Sequence, residues 1–263
     1  ALAASMGAIN LGQGFPDTDG PPEVLAAAIR AIEEGRNQYP PGPGHPELLD
    51  AIAAHQARFY GIDLDPCAEI LVTVGATEAI AATVLALCAP GDEVVTFEPY
   101  YDSYAATIAL AGATRRTSVL RFPDFAVDEA SLRAAFSDRT RLILLNSPHN
   151  PSGALIPRGD LDRLAELLRP TPALVLADEV YEHLVYDGLA HASVLAQPEL
   201  RSRAFAVFSF GKTFNATGWK IGYCVAPPVL TQAFRRIHQY VTFAVNAPAQ
   251  HALADFLRDD PVF

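Results

Sequence analysis

The sequence has only two lysines, Lys212 and Lys220, although 19 of its 263 residues are lysine or arginine. Both lie in one short segment, SFGKTFNATGWKIGY, at residues 209–223. An accident of composition is one explanation. Lysine differs from arginine, however, because its amine loses a proton near neutral pH and forms an imine with a carbonyl compound. The segment is therefore a candidate site for imine chemistry.

Cysteine is also scarce. Cys67, Cys88 and Cys224 are odd in number, scattered along the chain and without C-x-x-C spacing. This pattern argues against a disulfide scaffold and against a zinc site built on cysteine. We therefore expect a protein of the reducing cytoplasm, and the sequence predicts no metal site.

Long apolar runs and a positive charge balance are both missing. No stretch reaches the roughly 20 apolar residues of a transmembrane helix, so no membrane association is expected. The net charge of -11 and the pI near 5.0 argue against a nucleic-acid partner. A content of 50% hydrophobic residues indicates a well-buried globular protein. Any charge on a ligand must therefore be matched locally.

Short apolar runs alternate with stretches of helical spacing. Because strands buried on both faces read as continuous apolar sequence, the pattern predicts an α/β protein of three layers, α/β/α, with a mainly parallel sheet. The predicted strands are EILVTV (69–74), DEVVTF (92–97), RLILLN (141–146), ALVLAD (173–178), AFAVFS (204–209) and IGYCVA (221–226). The predicted helices between them are TEAIAATVLALC (77–88), YDSYAATIALAG (101–112) and RGDLDRLAELL (158–168).

Two further features concern the organisation of the chain. The last two predicted strands are too close in sequence for a parallel crossover, which takes about a dozen residues, so one antiparallel strand is expected. The Gly- and Pro-punctuated residues 1–35, with one predicted helix at 21–35, are interpreted as an N-terminal arm and part of a small domain. Residues 36–263 are interpreted as one large domain that carries the site.

Polar residues follow five of the predicted strands. Ligands of open α/β sheets bind beyond the carboxyl ends of the strands, so these residues are expected to meet. They are Gly75-Ala76-Thr77, Tyr100-Tyr101, the residues 146–153, Asp178, and the residues 209–212.

A nucleotide hydrolase is one alternative, because AVFSFGKT (206–213) nearly matches the phosphate loop G-x-x-x-x-G-K-[ST]. The first glycine is replaced by Ala206, however, and Phe208 and Phe210 stand where backbone must wrap phosphate. The strand ending in Asp178, which would hold magnesium, precedes the loop instead of following it.

An imine-forming cofactor such as pyridoxal phosphate needs a lysine, an acid at its ring nitrogen, an aromatic face and an anion site. Asp178 ends an apolar strand, where a cationic partner would keep its carboxylate ionised. Gly75-Ala76-Thr77 precedes a long helix whose N-terminus can receive phosphate. An ordinary helix cap at Asp178 and a plain tight turn at residues 75–77 are the alternatives.

Aromatic and turn residues complete this set. Tyr101 could stack on a ring, and Tyr181 could hydrogen-bond a ring oxygen, although buried tyrosines are common in any core. Asn150-Pro151 is a turn by composition.

Six motifs in unbroken order resemble the class I and II aminotransferases of fold type I, enzymes that use pyridoxal 5'-phosphate, from about residue 9 to the end of the chain. The motifs GQGFPD and GWKIG are most similar to the branch with kynurenine, glutamine, methionine and N-succinyldiaminopimelate aminotransferases. The six motifs are NLGQGFPD, NQYPPGPG, VTVGATEAI, NSPHNPSG, ADEVY and SFGKTFNATGWKIGY.

The resemblance implies a role for each matching residue. Lys212 becomes the imine-forming lysine and Asp178 the partner of the ring nitrogen. Cofactor contacts fall to Gly75, Ala76, Thr77, Tyr101, Asn150, Tyr181, Ser209 and Lys220, with Lys220 in the place of an arginine found in many relatives. Gly14 and Asn150 are implied in substrate binding, and Tyr39 is implied as a residue lent by the second subunit of a homodimer.

The resemblance also implies a C-terminal small domain, beyond Phe263, with the arginine that binds the substrate's α-carboxylate. The expected reaction is a ping-pong exchange of an amino group between an amino acid and a 2-oxo acid. A β-lyase on the same cofactor and a non-catalytic sensing domain are the alternatives.

Overall fold

The computed structural model describes residues 2–10, 14 and 16–259. Seven strands are described in this part of the chain, and they form a single sheet in the order β1-β7-β6-β5-β4-β2-β3. The strands are β1 (Ile70–Thr73), β2 (Glu93–Glu98), β3 (Thr114–Val119), β4 (Thr140–Asn146), β5 (Leu174–Asp178), β6 (Ala204–Ser209) and β7 (Gly222–Val225).

Each connection between consecutive strands contains at least one helix in the described part of the chain. Two short 3-10 helices are also present, at Val194–Ala196 and Thr217–Trp219. The α-helices are α1 (Leu2–Ser5), α2 (Pro22–Glu33), α3 (Pro46–Tyr60), α4 (Pro66–Glu69), α5 (Gly75–Leu87), α6 (Ser103–Leu110), α7 (Glu129–Ala135), α8 (Arg158–Leu168), α9 (Pro198–Arg201), α10 (Phe210–Thr213), α11 (Pro228–Val241) and α12 (Ala247–Asp259).

The strand directions confirm a mainly parallel sheet with one antiparallel strand. Strands β3, β2, β4, β5 and β6 pair in parallel, in that order across the sheet. Strand β7 pairs antiparallel with both β6 and β1. The connection between β6 and β7, residues 210–221, holds the one-turn helix α10 and the 3-10 helix Thr217–Trp219 rather than a long crossover helix.

All six predicted strands are present, but the sequence analysis missed β3. This strand lies at the edge of the sheet and pairs with β2 alone. Its sequence, TRRTSV, has no apolar run, and most of its side chains are exposed or half-buried. Charged residues are typical of an edge strand, since they discourage pairing with other chains. The signal of a doubly buried strand is therefore absent from it.

Two hydrophobic cores lie on opposite faces of the sheet and confirm the three-layer architecture. Side chains alternate between the faces along each strand. Val175 on β5 thus joins one core, together with residues of α2, α3, α7, α8 and α12. Leu176, the next residue, joins the other core, with residues of α5, α6 and α11.

The N-terminal part of the described chain contributes helices rather than strands. Helix α2 starts at Pro22, a favourable first residue because its missing N–H has no helical partner to lose. It packs against α12 near the other end of the chain. The domain division at residue 36 stays a prediction. Among the described residues, no helix combines the length and apolar character needed to cross a bilayer.

Gly222, at the start of β7, lies against the turn between β1 and α5. A Cβ atom at this position would lie 2.6 Å from the carbonyl oxygen of Phe208 and 3.0 Å from the carbonyl carbon of Gly75. Both neighbours are backbone atoms, which cannot rotate away as a side chain can. Glycine here allows β7 to approach the turn closely.

We predict that Gly222→Ala lowers the free energy of unfolding by about 1–3 kcal/mol, the usual cost of overpacking. Gly159→Ala is the matched control, since Gly159 lies in α8 with nothing within 4 Å of an added Cβ. The control should be neutral or more stable by ~0.4–1 kcal/mol. Urea unfolding of both variants measures the difference. Equal midpoints for Gly222→Ala and the parent protein would contradict the close contact.

Candidate active site

A cavity of about 760 Å³ opens at the carboxyl ends of the parallel strands. Eleven of the twelve residues singled out from the sequence line it. They are Gly14, Gly75, Ala76, Thr77, Tyr101, Asn150, Asp178, Tyr181, Ser209, Lys212 and Lys220. The structure therefore brings together residues that are far apart in the chain, because the strand ends that carry them meet at one edge of the sheet.

Tyr39 is the exception and lies outside this cavity. Its side chain is 83% exposed, and its ring packs edge-on against Phe243 at a centroid distance of 5.2 Å. A tyrosine that serves a second subunit would be exposed in a single chain, so this role stays a prediction.

Asp178 is the deepest charged group of the cavity. It ends β5, in the middle of the sheet, and is only 4% exposed. Its Oδ2 accepts a hydrogen bond from the Tyr104 hydroxyl at 2.6 Å, and its Oδ1 accepts one from the Val180 N–H at 3.3 Å. Burial raises the pKa of Asp178 to about 6, and these two hydrogen bonds oppose the rise. A cationic donor in the cavity would lower this pKa and so favour the ionised form further.

Lys212 lies on the one-turn helix α10, directly after the end of β6. Its Nζ is 5.6 Å from the centre of the Tyr181 ring. Its positive charge is also one of the factors that lower the pKa of Asp178. Amine and carboxylate therefore face the same cavity from two neighbouring parallel strands.

An anion cradle is formed where β1 meets α5. Gly75 begins the helix with φ at +67°, a left-handed conformation that favours glycine. A Cβ at Gly75 would also lie 3.3 Å from Cε of Lys220. The Lys220 Nζ lies 3.4 Å from Oγ1 of Thr77. Free N–H groups at the helix N-terminus and an adjacent ammonium group together suit a phosphate.

Asn146 organises the loop after β4; it was expected at this edge of the sheet, but no role was predicted for it. Its Nδ2 donates to the backbone oxygen of Asp178 at 2.9 Å, while its Oδ1 accepts from the N–H of Asn150 at 2.7 Å. Asn150 in turn hydrogen-bonds Tyr181. Burial raises the pKa of Tyr181, and the bond from Asn150 opposes this. The neutral phenol is thus available as a hydrogen-bond donor.

Tyr104 is the second functional residue that the sequence analysis missed. It lies on α6, one helical turn after Tyr101, and the two rings pack edge to face at 5.7 Å. Both tyrosines line the cavity. A second aromatic residue at i+3 was the available signal, since residues three apart share one helix face. The same spacing is common on any buried helix, so the signal is weak.

The geometry rules out the phosphate-loop interpretation of AVFSFGKT. Ala206 and Phe208 belong to β6 and pair with Val225 and Tyr223 of β7. Backbone committed to a sheet ladder cannot wrap a phosphate group.

Comparison with known proteins agrees with this geometry. The family described as aminotransferase class I and II matches residues 7–262 of the sequence. The chain belongs to the class I and II aminotransferases. Members of this family use pyridoxal 5'-phosphate, and their solved structures have fold type I.

Two curated relatives show how much of the family's length is covered. A methionine aminotransferase of Escherichia coli is 49% identical over 99% of this chain, which spans 68% of the relative's length. A probable N-succinyldiaminopimelate aminotransferase of Mycobacterium tuberculosis is 50% identical over 97% of this chain, which spans 64% of that relative. The chain thus spans about two thirds of both.

The fold comparison gives the same result. A crystal structure of the E. coli methionine aminotransferase superposes with a TM-score of 0.96 at 49% identity. The alignment covers 99% of this chain and 69% of the solved one.

The residues of the cavity fit pyridoxal phosphate. The buried carboxylate of Asp178 has no lysine or arginine among its described hydrogen-bond partners, and a protonated pyridine nitrogen would supply the cation. The turn at Gly75 leaves space beside the Lys220 side chain, and a Cβ atom on residue 75 would fill part of that space. An amine, an acid, an aromatic wall and an anion cradle are thus present in one cavity.

We predict that Tyr104→Phe raises the pKa of Asp178 by roughly one unit, because it removes a hydrogen bond that stabilises the carboxylate. The carboxyl carbon can be titrated by NMR in the cofactor-free protein, with Asp178→Asn as the assignment variant. Tyr240→Phe, at an exposed position on α11, is the control and should leave the titration unchanged. If Asp178 has the same titration midpoint in Tyr104→Phe as in the parent protein, the Tyr104 hydroxyl does not affect the pKa of Asp178.

Proposed function

We propose that this protein is a pyridoxal-phosphate-dependent aminotransferase that moves an amino group between an L-amino acid and a 2-oxo acid by a ping-pong mechanism. One observation carries this proposal. Both lysines of the chain line the cavity that also contains the buried Asp178. Family membership supports the same reaction class.

Lys212 is the proposed catalytic base and acid. When bound, the cofactor supplies an aldehyde for covalent attachment and a ring that withdraws the electron pair left on the substrate's Cα. Lys212 would hold the cofactor through its Nζ amine and would be freed when an amino acid takes its place. The free Nζ amine would then serve as the base that takes the substrate's Cα proton and as the acid that returns a proton.

Asp178 is proposed to keep the ring nitrogen protonated. Its carboxylate accepts the ring N–H, and this ion pair favours the withdrawal of electrons from Cα. Tyr104 positions the carboxylate through the hydrogen bond to Oδ2. Tyr181 and Asn150 are proposed to bind the ring oxygen, Tyr101 to stack on the ring, and Thr77, Ser209 and Lys220 to bind the phosphate.

The proposed donors are the amino acids of the branch that the sequence resembles. N-succinyldiaminopimelate, methionine, kynurenine and glutamine are the candidates. Gly14 and Asn150 line the cavity and are proposed to contact the substrate. We place the enzyme in the cytoplasm, where its three cysteines, all free thiols, stay reduced.

A homodimer with shared active sites is part of the proposal. Tyr39 and Phe243 pack edge to face and form an exposed aromatic patch, and Tyr240 and Val241, close to Phe243 in the sequence, are exposed as well. Exposed aromatic residues of this kind are typical of protein interfaces. A second copy of the chain would cover the patch and receive Tyr39.

The first experiment is borohydride reduction of the cofactor-loaded protein, followed by peptide mapping. A visible imine band should disappear on reduction, and the label should be found on Lys212. Lys220→Arg, which keeps the charge and leaves Lys212 as the chain's single lysine, should retain the label. Lys212→Arg should lose both the band and the label. A label on Lys220 in the parent protein, or on neither lysine, would contradict the assignment.

Product analysis separates the alternatives that share this cofactor. An aminotransferase forms a new amino acid from the added 2-oxo acid, whereas a β-lyase releases ammonia and a 2-oxo acid from a single substrate. A non-catalytic sensing domain would carry the label on Lys212 but would form neither set of products. Titration of the candidate amino acids against the visible band ranks the donors.

Mixed dimers test the role of Tyr39. We predict that Lys212→Ala and Tyr39→Ala are each strongly impaired alone, and that their mixture after subunit exchange regains activity. A hybrid has one site with an intact Lys212 and the partner's intact Tyr39. A mixture whose activity equals the mean of the two variants would show that Tyr39 serves its own chain or none.

A further inference from the structure

A second cluster of polar side chains lies outside the cavity, between α3 and the segment that follows β5. His55 belongs to α3, and Glu182 and His183 come directly after Tyr181. His55 is 6% exposed and Glu182 is 5% exposed. None of the three lines the active-site cavity. Two imidazoles and a carboxylate in one buried place are a donor set of the kind that binds metal ions.

The distances between their donor atoms suit one small ion. Nε2 of His55 and Nε2 of His183 are 3.0 Å apart, and Nε2 of His183 is 3.7 Å from Oε1 of Glu182. All three donor atoms lie within 4.8 Å of one another. In a tetrahedral zinc site with bonds of about 2.0–2.1 Å, neighbouring donor atoms are roughly 3.3 Å apart. The observed separations of 3.0 Å and 3.7 Å lie on either side of this distance.

A positive charge acts on the cluster from Arg58, which also belongs to α3 and lowers the pKa of His55. The described ion pair of Glu182 is with His183, and no lysine or arginine is among its described partners. Burial lowers the pKa of His55 to about 3 and that of His183 to about 4, so both rings are neutral near pH 7. Neutral imidazole is the form that binds metals. Burial raises the pKa of Glu182 to about 8, so a divalent ion would bind its carboxylate by displacing the proton that this group holds near pH 7.

Neighbouring side chains hold the donors in place. The Tyr60 hydroxyl donates to Oε2 of Glu182 at 2.5 Å, and Oε1 remains on the side of His183. The Phe59 ring packs against both imidazoles, with centroid distances of 4.6 Å to His55 and 5.0 Å to His183. Such supporting contacts orient the ligands of metal sites. The side chain of His183 is 20% exposed, which gives an ion a route from solvent.

We propose that His55, Glu182 and His183 bind a divalent transition-metal ion of the zinc type. The ion replaces the hydrogen bond between the two imidazoles, so the ring that donates it moves its proton from Nε2 to Nδ1. Both rings then offer a lone pair at Nε2. The ion joins α3 to the segment that carries Asp178 and Tyr181 and stabilises this part of the fold from behind the active site.

A second group of similar residues, on the surface, provides the matched control. His45, Glu47 and His251 also offer donor atoms within 4.8 Å of one another. There, however, Arg36 contributes a guanidinium nitrogen 3.1 Å from Nδ1 of His251, at the very atom that would bind the ion. A fixed positive charge at the ligand atom disfavours a cation. Only the buried cluster is expected to bind.

Calorimetric titration of the chelator-treated, cofactor-loaded full chain with Zn²⁺ tests the proposal. One ion should bind per chain and raise the melting temperature. His183→Gln should weaken binding at least tenfold and abolish the rise, because a lost ligand costs at least as much as a lost supporting contact. His251→Gln should bind as the parent does. Absence of saturable binding to the parent, or binding that depends on His251 and not on His183, would overturn the proposal.

Two further measurements separate loss of a ligand from loss of structure. His183→Gln changes the most exposed of the three ligands, and its circular dichroism and metal-free melting temperature should match those of the parent protein. Co²⁺ bound to the parent should give the intense visible absorption of a tetrahedral site with nitrogen and oxygen ligands. Weak absorption typical of octahedral aqueous Co²⁺ would reject the site even if the variant proves unstable.

Discussion

The carboxylate of Asp178, buried at the end of the middle strand, is the constraint on which the rest of the active site depends. A buried charge is costly unless a cation or strong hydrogen bonds compensate it. The protein supplies the Tyr104 hydroxyl and the Val180 N–H, yet burial still holds the pKa of Asp178 at about 6. No lysine or arginine is among the described hydrogen-bond partners of Asp178, so the acid is matched to a cationic ligand. The proposed cofactor supplies that cation.

The sheet places the other groups around this carboxylate. Asp178 pairs across the sheet with Asn146 of β4 and Val207 of β6. The loops that leave these strands therefore bring Asn150 and Lys212 to the same opening. Strand β7 runs antiparallel to both of its neighbours. Gly222 at its start has no side chain, so the strand can lie against the turn at Gly75. Lys220 precedes that strand, and its Nζ reaches the anion cradle at 3.4 Å from Oγ1 of Thr77.

The segment DEVYE (178–182) puts three carboxylates into the interior within five residues. Each has a different partner. Asp178 faces the cavity, Glu179 contacts His191 at 3.0 Å and accepts from the N–H of Val194, and Glu182 meets Tyr60 and His183. The active site and the proposed metal site therefore each contain a carboxyl group whose pKa is raised by burial and which a cation would keep ionised. They share the same short stretch of backbone.

The sequence by itself determined the fold class, six of the seven strands, the reversed strand and most of the residues that line the cavity. These rest on local signals, namely continuous apolar runs, the length of a connection and motifs at strand ends. Strand β3 was not predicted, because a strand at the edge of the sheet does not need a continuous run of apolar residues. Tyr104 was not predicted either, since its spacing on α6 is that of any buried helix.

Only the tertiary structure decided which distant side chains meet. His55 and His183 are 128 residues apart, and no spacing rule joins them. The prediction of no metal site rests on the number and spacing of the cysteines, and it takes no account of ligands far apart in sequence. Burial and proximity, which set the pKa of Asp178 and bring the proposed metal ligands together, are properties of the packed chain. They arise when strands and helices from different parts of the sequence exclude water from the same place.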